Sequence, residues 1–99
     1  MILIMRQTVR DYDAWKLVFD AGEPLRAKHG CSGHVIYRDD DDANDLTIHL
    51  RFPSRDAADA FLADPELAAN MKRAGVETKP AVARVREAES LEYPGSCSI

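Results

Sequence analysis

The 99-residue sequence is poor in several features, and each shortage excludes a class of protein. It has no run of about 18 apolar residues, so no segment is predicted to span a membrane. Basic residues do not dominate: 13 Lys and Arg face 17 Asp and Glu, which argues against nucleic-acid binding. Cys31 and Cys97 are isolated and match no zinc-site spacing. With no signal peptide visible, we expect a cytoplasmic chain with reduced thiols that binds neither nucleic acid nor membrane.

What is present is a balance of 45% hydrophobic and 30% charged residues, which is typical of one globular domain. The acidic excess comes from residues 31–50, where Arg38 stands against five aspartates. One acidic loop over residues 39–44, on a nearly neutral body, explains this distribution. No calcium loop is predicted there, because Asp45 and Arg51 replace the glycine and glutamate that an EF-hand needs.

Hydrophobic spacing predicts a β-strand and then a broken helix in the first third of the chain. Residues 1–9 are mostly apolar and lack glycine and proline, which favours a strand. Asp11 stands where an N-cap is expected. Apolar side chains then recur every three or four residues, as in an amphipathic helix: Tyr12, Trp15, Val18, Phe19 and Leu25. Pro24 predicts a kink or restart near Gly22, and Gly30 is expected to end the helix.

The remaining sequence predicts two strands, a second broken helix and a last strand. Residues 31–38 and 45–52 alternate apolar and polar side chains, as half-buried strands do. Ser54 and Asp64 precede two helical stretches and can cap them. Residues 80–88 favour a fourth strand.

The resulting order, β-α-β-β-α-β, predicts a ferredoxin-like α+β fold over residues 1–90. This fold has one four-stranded antiparallel sheet with both helices on one face. The other face keeps isoleucine and threonine side chains, so two copies are expected to pack sheet to sheet as a homodimer. Residues 91–99 form a tail that we expect to be loose or to pack on a partner.

Three stretches of the sequence carry a family resemblance: residues 9–15 (VRDYDAW), 37–52 and 60–76. In these stretches the chain resembles small dimeric α+β barrel proteins of the antibiotic-biosynthesis-monooxygenase type. The resemblance implies a cofactor-independent monooxygenase or polyketide cyclase that acts on an aromatic small molecule. A non-catalytic small-molecule-binding or stress-related barrel is the alternative, because fold does not determine function. Haem-degrading members share a first-strand asparagine, where this chain offers Gln7, so haem degradation is disfavoured.

Two histidines are the leading candidates for catalysis. If Val35 pairs with Ile48 across the central hairpin, His34 lies opposite His49, and most apolar side chains share one face. Two imidazoles so placed could act as acid and base, with Tyr37 as a further proton donor. The alternative is that both histidines line a polar interface or face solvent. No metal or cofactor is expected. Two histidines without a nearby carboxylate supply too few ligands to hold a metal ion.

Large side chains on the helices are candidates for lining a ligand cavity between helices and sheet. They are Trp15, Tyr12, Phe61 and Met71. A core role is the commoner one for residues of these types. Arg51, Arg84 and Arg86 could bind an acidic or polyphenolic ligand, although exposed strand charge is the favoured interpretation.

Overall fold

The computed structural model describes residues 1–94 and contains the predicted elements in the predicted order. The strands are β1 (Ile2–Thr8), β2 (Gly33–Arg38), β3 (Asp45–Arg51) and β4 (Ala81–Val85). The helices are α1 (Tyr12–Ala21), α2 (Glu23–Lys28), α3 (Arg55–Ala63) and α4 (Pro65–Ala74). Within residues 1–94, no helix has the length and apolar character needed to cross a bilayer. Cys97 and the end of the tail lie outside the described residues.

The helix boundaries follow from the residues expected to set them. The side chains of Asp11 and Ser54 each accept a hydrogen bond from the N–H three residues later, and so cap α1 and α3. Pro24 lies in the first turn of α2, where its missing N–H leaves no hydrogen bond unmade. Gly30 and Gly75 follow the second and fourth helices with φ of 83° and 79°, a left-handed conformation that glycine adopts without strain.

The four strands form one antiparallel sheet in the order β2-β3-β1-β4, which confirms the ferredoxin-like fold. The helices cover one face of this sheet and enclose the core. The largest contributions come from side chains on β1, β3, α1 and α3: Leu3, Met5, Trp15, Leu46, Ile48, Leu50, Phe52 and Phe61. β4 is shorter than the predicted strand over residues 80–88.

The register of β2 against β3 differs by one residue from the predicted pairing, which was wrong. Val35 pairs with His49, and His34 pairs with Leu50. Because neighbouring residues of a strand point to opposite faces, His34 lies on the helix side and His49 on the open side. Val35 and Tyr37, expected in the core, are instead on the open face and remain 40% and 51% exposed.

The hairpin loop accounts for this register. The Asp39 N–H donates to the Asp45 carbonyl at 2.8 Å, which closes the loop. The carboxylate of Asp39 also accepts from the N–H groups of Asp41 and Asp42 at 3.0 and 3.2 Å. Loop geometry of this kind determines which residues pair in the adjoining strands. In this register Ile36 points toward the core, opposite Ile48, and its neighbours Val35 and Tyr37 do not.

Candidate functional site

A small cavity of about 60 Å³ lies between the sheet and the helices. Trp15, Phe61 and Met71 line it together with Met5, Phe19, Ile48 and Leu67 among others, and the ligand-binding role predicted for these three stays a prediction. Tyr12 does not line it, but its ring packs beside that of Trp15 with centroids 5.8 Å apart. Small-molecule sites usually enclose roughly 300 Å³ or more. The cavity as it stands therefore holds only small occupants.

Two members of an aromatic row along α1, Trp15 and Phe19, line this cavity. Tyr12, Trp15 and Phe19 are spaced by three and four residues and so share one face of the helix. The Trp15 and Phe19 rings stack at 4.9 Å. The guanidinium of Arg38 lies 3.8 Å from the Tyr12 ring, and that of Arg26 lies 3.8 Å from the Phe19 ring. The row thus presents aromatic surface to the interior, and a cation covers each of its ends.

One polar atom in the cavity wall lacks a hydrogen-bond partner. Gln7 is 5% exposed, and its Oε1 is buried with no donor among residues 1–94. Burying an amide oxygen without a partner is unfavourable, so such groups are uncommon. Gln7 was not among the site residues that the sequence predicted. The available signal was its place between Met5 and Val9, where β1 otherwise puts apolar side chains on the core face.

A second, polar concavity of about 480 Å³ lies beside α2 and the edge strand β2. Arg26 is 7% exposed there, and its Nη1 donates to the Phe19 carbonyl at 2.8 Å. Burial lowers the pKa of the Arg26 guanidinium. The ring of His34 meets the Phe19 ring edge-on at 4.9 Å. Partial desolvation first, and then the charges of Arg26 and Lys16, lower the pKa of His34 although the residue is exposed, which favours the neutral imidazole at pH 7.

The other two predicted catalytic residues share the open face of the sheet. The rings of Tyr37 and His49 lie 5.0 Å apart, inclined at 62°. His49 pairs with Ile4 on one side and Val35 on the other, so apolar side chains flank it, whereas Tyr37 pairs with Thr47. The structure therefore separates the predicted histidine pair and joins Tyr37 to His49 instead. Neither of these two lines the cavity, and their catalytic role stays a prediction.

A polar contact ties α2 to α4 away from both concavities. His29 Nε2 lies 2.9 Å from Asp64 Oδ2, and Asp64 also accepts from the Glu66 N–H at 3.0 Å as the cap of α4. The hydrogen bonds from His29, from Glu66 and from Lys28 hold the pKa of Asp64 at about 2. Among residues 1–94, no three His, Cys, Asp or Glu side chains are grouped closely enough to hold a metal ion.

No family model and no curated protein sequence matches the chain. Solved structures do match it. The cofactor-independent oxygenase SnoaB of Streptomyces nogalater is 20% identical, with a TM-score of 0.68 over 88% of this chain and 93% of that one. A Bordetella bronchiseptica protein, provisionally assigned as an antibiotic biosynthesis monooxygenase, is 15% identical, with a TM-score of 0.75 over 89% and 96%. A Mycobacterium tuberculosis protein is 27% identical, with a TM-score of 0.61 over 89% and 97%.

These likenesses define the class of protein by its fold. The chain shares its ferredoxin-like α+β fold with SnoaB and with the Bordetella bronchiseptica and Mycobacterium tuberculosis proteins. The resemblance seen in the sequence is confirmed at this level. At these identities the shared fold does not assign a substrate.

Proposed function

We propose that the chain binds a small hydroxylated aromatic molecule in the cavity and acts on it as a cofactor-independent monooxygenase or polyketide-cyclase-like enzyme. The observation that carries the proposal is the unpartnered Gln7 Oε1 in a wall of aromatic and apolar side chains. A phenolic hydroxyl would donate to this oxygen while its ring packs against Trp15 and Phe61. The description of SnoaB as a cofactor-independent oxygenase supports the same reaction class.

The ligand would enter by displacing side chains of α4. Leu67 and Met71 line the cavity on the α4 side and are only partly buried. An unbranched methionine changes conformation at low energetic cost. Movement of these two side chains would open the cavity between α1 and α4 to a fused-ring ligand.

For the proposed chemistry, the protein needs only to bind the substrate, orient it and accept a proton. An electron-rich phenol or enol can itself reduce oxygen once it is deprotonated and held in place. The lining residues include no carboxylate, histidine or tyrosine. The proton acceptor that we propose is His34, whose ring meets the Phe19 ring at 4.9 Å and whose neutral form is favoured. Because His34 does not line the cavity, the Phe19 ring would have to turn aside for the proton to be transferred. His49 and Tyr37 would contribute only to a site shared with a second copy of the chain.

Binding is tested by titrating the fluorescence of Trp15, the only tryptophan, with naphthol and with methylnaphthalene. The two ligands differ chiefly in whether they can donate to Gln7. We expect naphthol to bind about tenfold more tightly. In Gln7→Leu this preference should vanish while methylnaphthalene still binds. Thr8→Val, on the open side of the same strand, is the matched control. Failure of both ligands to bind the wild-type protein would contradict the proposal.

Turnover is tested by oxygen uptake with the hydroxyanthrone dithranol and no added cofactor. Its methylene carbon would become a carbonyl, with one oxygen molecule consumed and one water released per dithranol. We expect uptake above the protein-free rate, and slower uptake with His34→Ala.

The absence of a proton acceptor from the cavity lining favours a second candidate, a non-catalytic binding protein. Binding without added oxygen uptake would select that candidate.

We also propose that the open face of the sheet is the interface of a homodimer. Ile2, Ile4, Val35, Tyr37 and Val85 form an apolar patch there, and no other element within residues 1–94 covers it. A patch of this kind on a small domain is typical of an association surface.

Light scattering should then give a mass near twice the 11.0 kDa of one chain. Ile4→Asp should reduce it to that of the monomer. Leu17→Asp, on the outer side of α1 where the side chain is 74% exposed, should leave the dimer intact. A monomeric wild-type protein at high concentration would refute the dimer.

A further inference from the structure

The polar concavity beside β2 is separate from the aromatic cavity, with Arg26 as the shared wall. Its lining combines two arginines, a histidine and a serine with the carboxylates of Asp20 and Glu23. At about 480 Å³ it has the capacity of a small-molecule site. Nothing in the proposed oxygenase chemistry uses it as a binding site.

Arg51 reaches this concavity because residue 33 is glycine. Arg51 pairs with Gly33 across the edge of the sheet, and its Nη2 lies 3.4 Å from the Ser32 carbonyl. A Cβ placed on Gly33 would lie 1.9 Å from Arg51 Nη2, so any side chain there would displace the guanidinium. The missing side chain therefore lets the guanidinium cross the edge strand toward the helix side. Its hydrogen bond to Ser32 leaves several donors unused.

Arg26 enters the concavity from the other side and is held rigidly. Its guanidinium lies over the Phe19 ring and donates one hydrogen bond, to the Phe19 carbonyl. Among residues 1–94 no other hydrogen-bond partner of this side chain is found, so the remaining N–H groups can bind a ligand. A buried, preorganised guanidinium with spare donors matches the planar geometry of a carboxylate.

The charges around the concavity favour an anion of low charge. Lys16 Nζ lies 2.6 Å from Asp20 Oδ1 and neutralises that carboxylate. The side chains in and beside the concavity carry three positive charges, from Arg26, Arg51 and Lys16. They carry two negative charges, from Asp20 and Glu23, so the net charge is +1. A singly charged carboxylate would balance this excess, whereas a doubly charged phosphate would exceed it.

We propose that this concavity is a binding site for a small organic carboxylate, held between the guanidinium groups of Arg26 and Arg51 beside His34. The apolar body of the ligand would lie toward Ala27 and the Phe19–His34 ring contact. This site does not depend on ligand binding in the aromatic cavity, and either site can exist without the other.

The three histidines make a direct test practical, because each reports on a different region. His34 lies at the concavity, His49 on the open face, and His29 at the contact of α2 with α4. Benzoate titrated into the intact protein at constant pH and ionic strength should shift the ring-proton NMR signals of His34 in a saturable way. The signals of His29 and His49 should stay in place, and neutral benzamide should not reproduce the shift.

Variants identify the binding groups. Arg51→Gln removes an exposed guanidinium and should raise the Kd for benzoate about tenfold. Arg26→Met should do the same while its stem keeps packing on Phe19. Arg38→Gln removes the same charge at the far end of α1 and should leave the Kd unchanged.

The proposal fails if benzoate does not shift His34, if all three histidines shift alike, or if Arg51→Gln binds as tightly as the wild type. Tighter binding of inorganic phosphate than of benzoate would overturn the assignment to a carboxylate.

Discussion

The two faces of the sheet come from the same strands but differ in how their apolar side chains are covered. On β1, Leu3 and Met5 point toward the helices and are 0% and 6% exposed. Ile2 and Ile4 point the other way and are only half-buried. The helices of the same chain cover the first set, whereas nothing within residues 1–94 covers the second. A single chain therefore covers the apolar side chains on the helix side, while those on the open side are arranged as at an interface.

The polar groups of the two faces differ as well. On the helix side, Gln7 and Arg26 are buried and have hydrogen-bonding capacity to spare. On the open side, Arg6 and Asp45 form an ion pair at 3.0 Å at the rim, where solvent screens it. Unused hydrogen-bonding groups have larger energetic effects where water is excluded. These spare groups support the proposal that a ligand binds on the helix side.

The largest expected effect comes from shortening a core side chain on β1. Leu3→Ala should lower the free energy of unfolding by about 3 kcal/mol, because the site is fully enclosed. The neighbouring Ile4→Ala should cause a smaller loss that depends on protein concentration, since a dimer would bury that side chain. Urea denaturation at several concentrations measures both. Equal, concentration-independent losses would remove the distinction between the two faces.

Gln7→Leu should act in the opposite direction. Replacing a buried amide that lacks a partner for its oxygen by an apolar group of similar size should stabilise the protein by about 1 kcal/mol. The same variant should lose the preference for naphthol. A stability gain paired with a binding loss indicates a residue kept for function rather than folding. Destabilisation in the same urea experiment would instead give Gln7 a structural role.

A smaller effect is expected where α2 meets α4, and it depends on pH. The pKa of Asp64 is about 2 in the folded protein against an ordinary value of 3.8. The unfolded chain therefore binds the proton first, and the stabilisation present above pH 4 is lost as the pH falls toward 2. Asp64→Asn keeps a helix cap but should flatten this part of the stability profile. An unchanged slope, like that expected for the control Asp56→Asn, would show that this carboxyl has no such role.

The smallest expected effect is a shift in the titration of His34. Its pKa should lie below 6.5, because burial and the charges of Arg26 and Lys16 outweigh the opposing charges of Asp20 and Glu23. The associated stabilisation is present above pH 6.5 and decreases as the pH falls, since the unfolded chain then binds the proton more readily. NMR titration of the ring protons measures the midpoint. A value of 6.5 or higher would mean that neither desolvation nor these positive charges act on the ring.

Much of the fold could be predicted because its signals are local. Asp11 and Ser54 cap helices through atoms three residues away, and Pro24 and Gly75 act on their own turn. Trp15, Phe61 and Met71 lie on apolar helix faces over the sheet and line the cavity, while their role in ligand binding stays a prediction. The domain boundary at residue 90 stays a prediction.

The sequence by itself determined the element order, the helix ends and the α+β class, since these depend on neighbours within a few residues. Only the tertiary structure decided which residues of β2 face the helices, because alternation is compatible with two registers and the loop from Asp39 to Asp45 selects one. That choice placed His34 and His49 on opposite sides of the sheet. The unpartnered oxygen of Gln7 also became visible only there, because hydrogen bonding depends on groups that are distant in the chain.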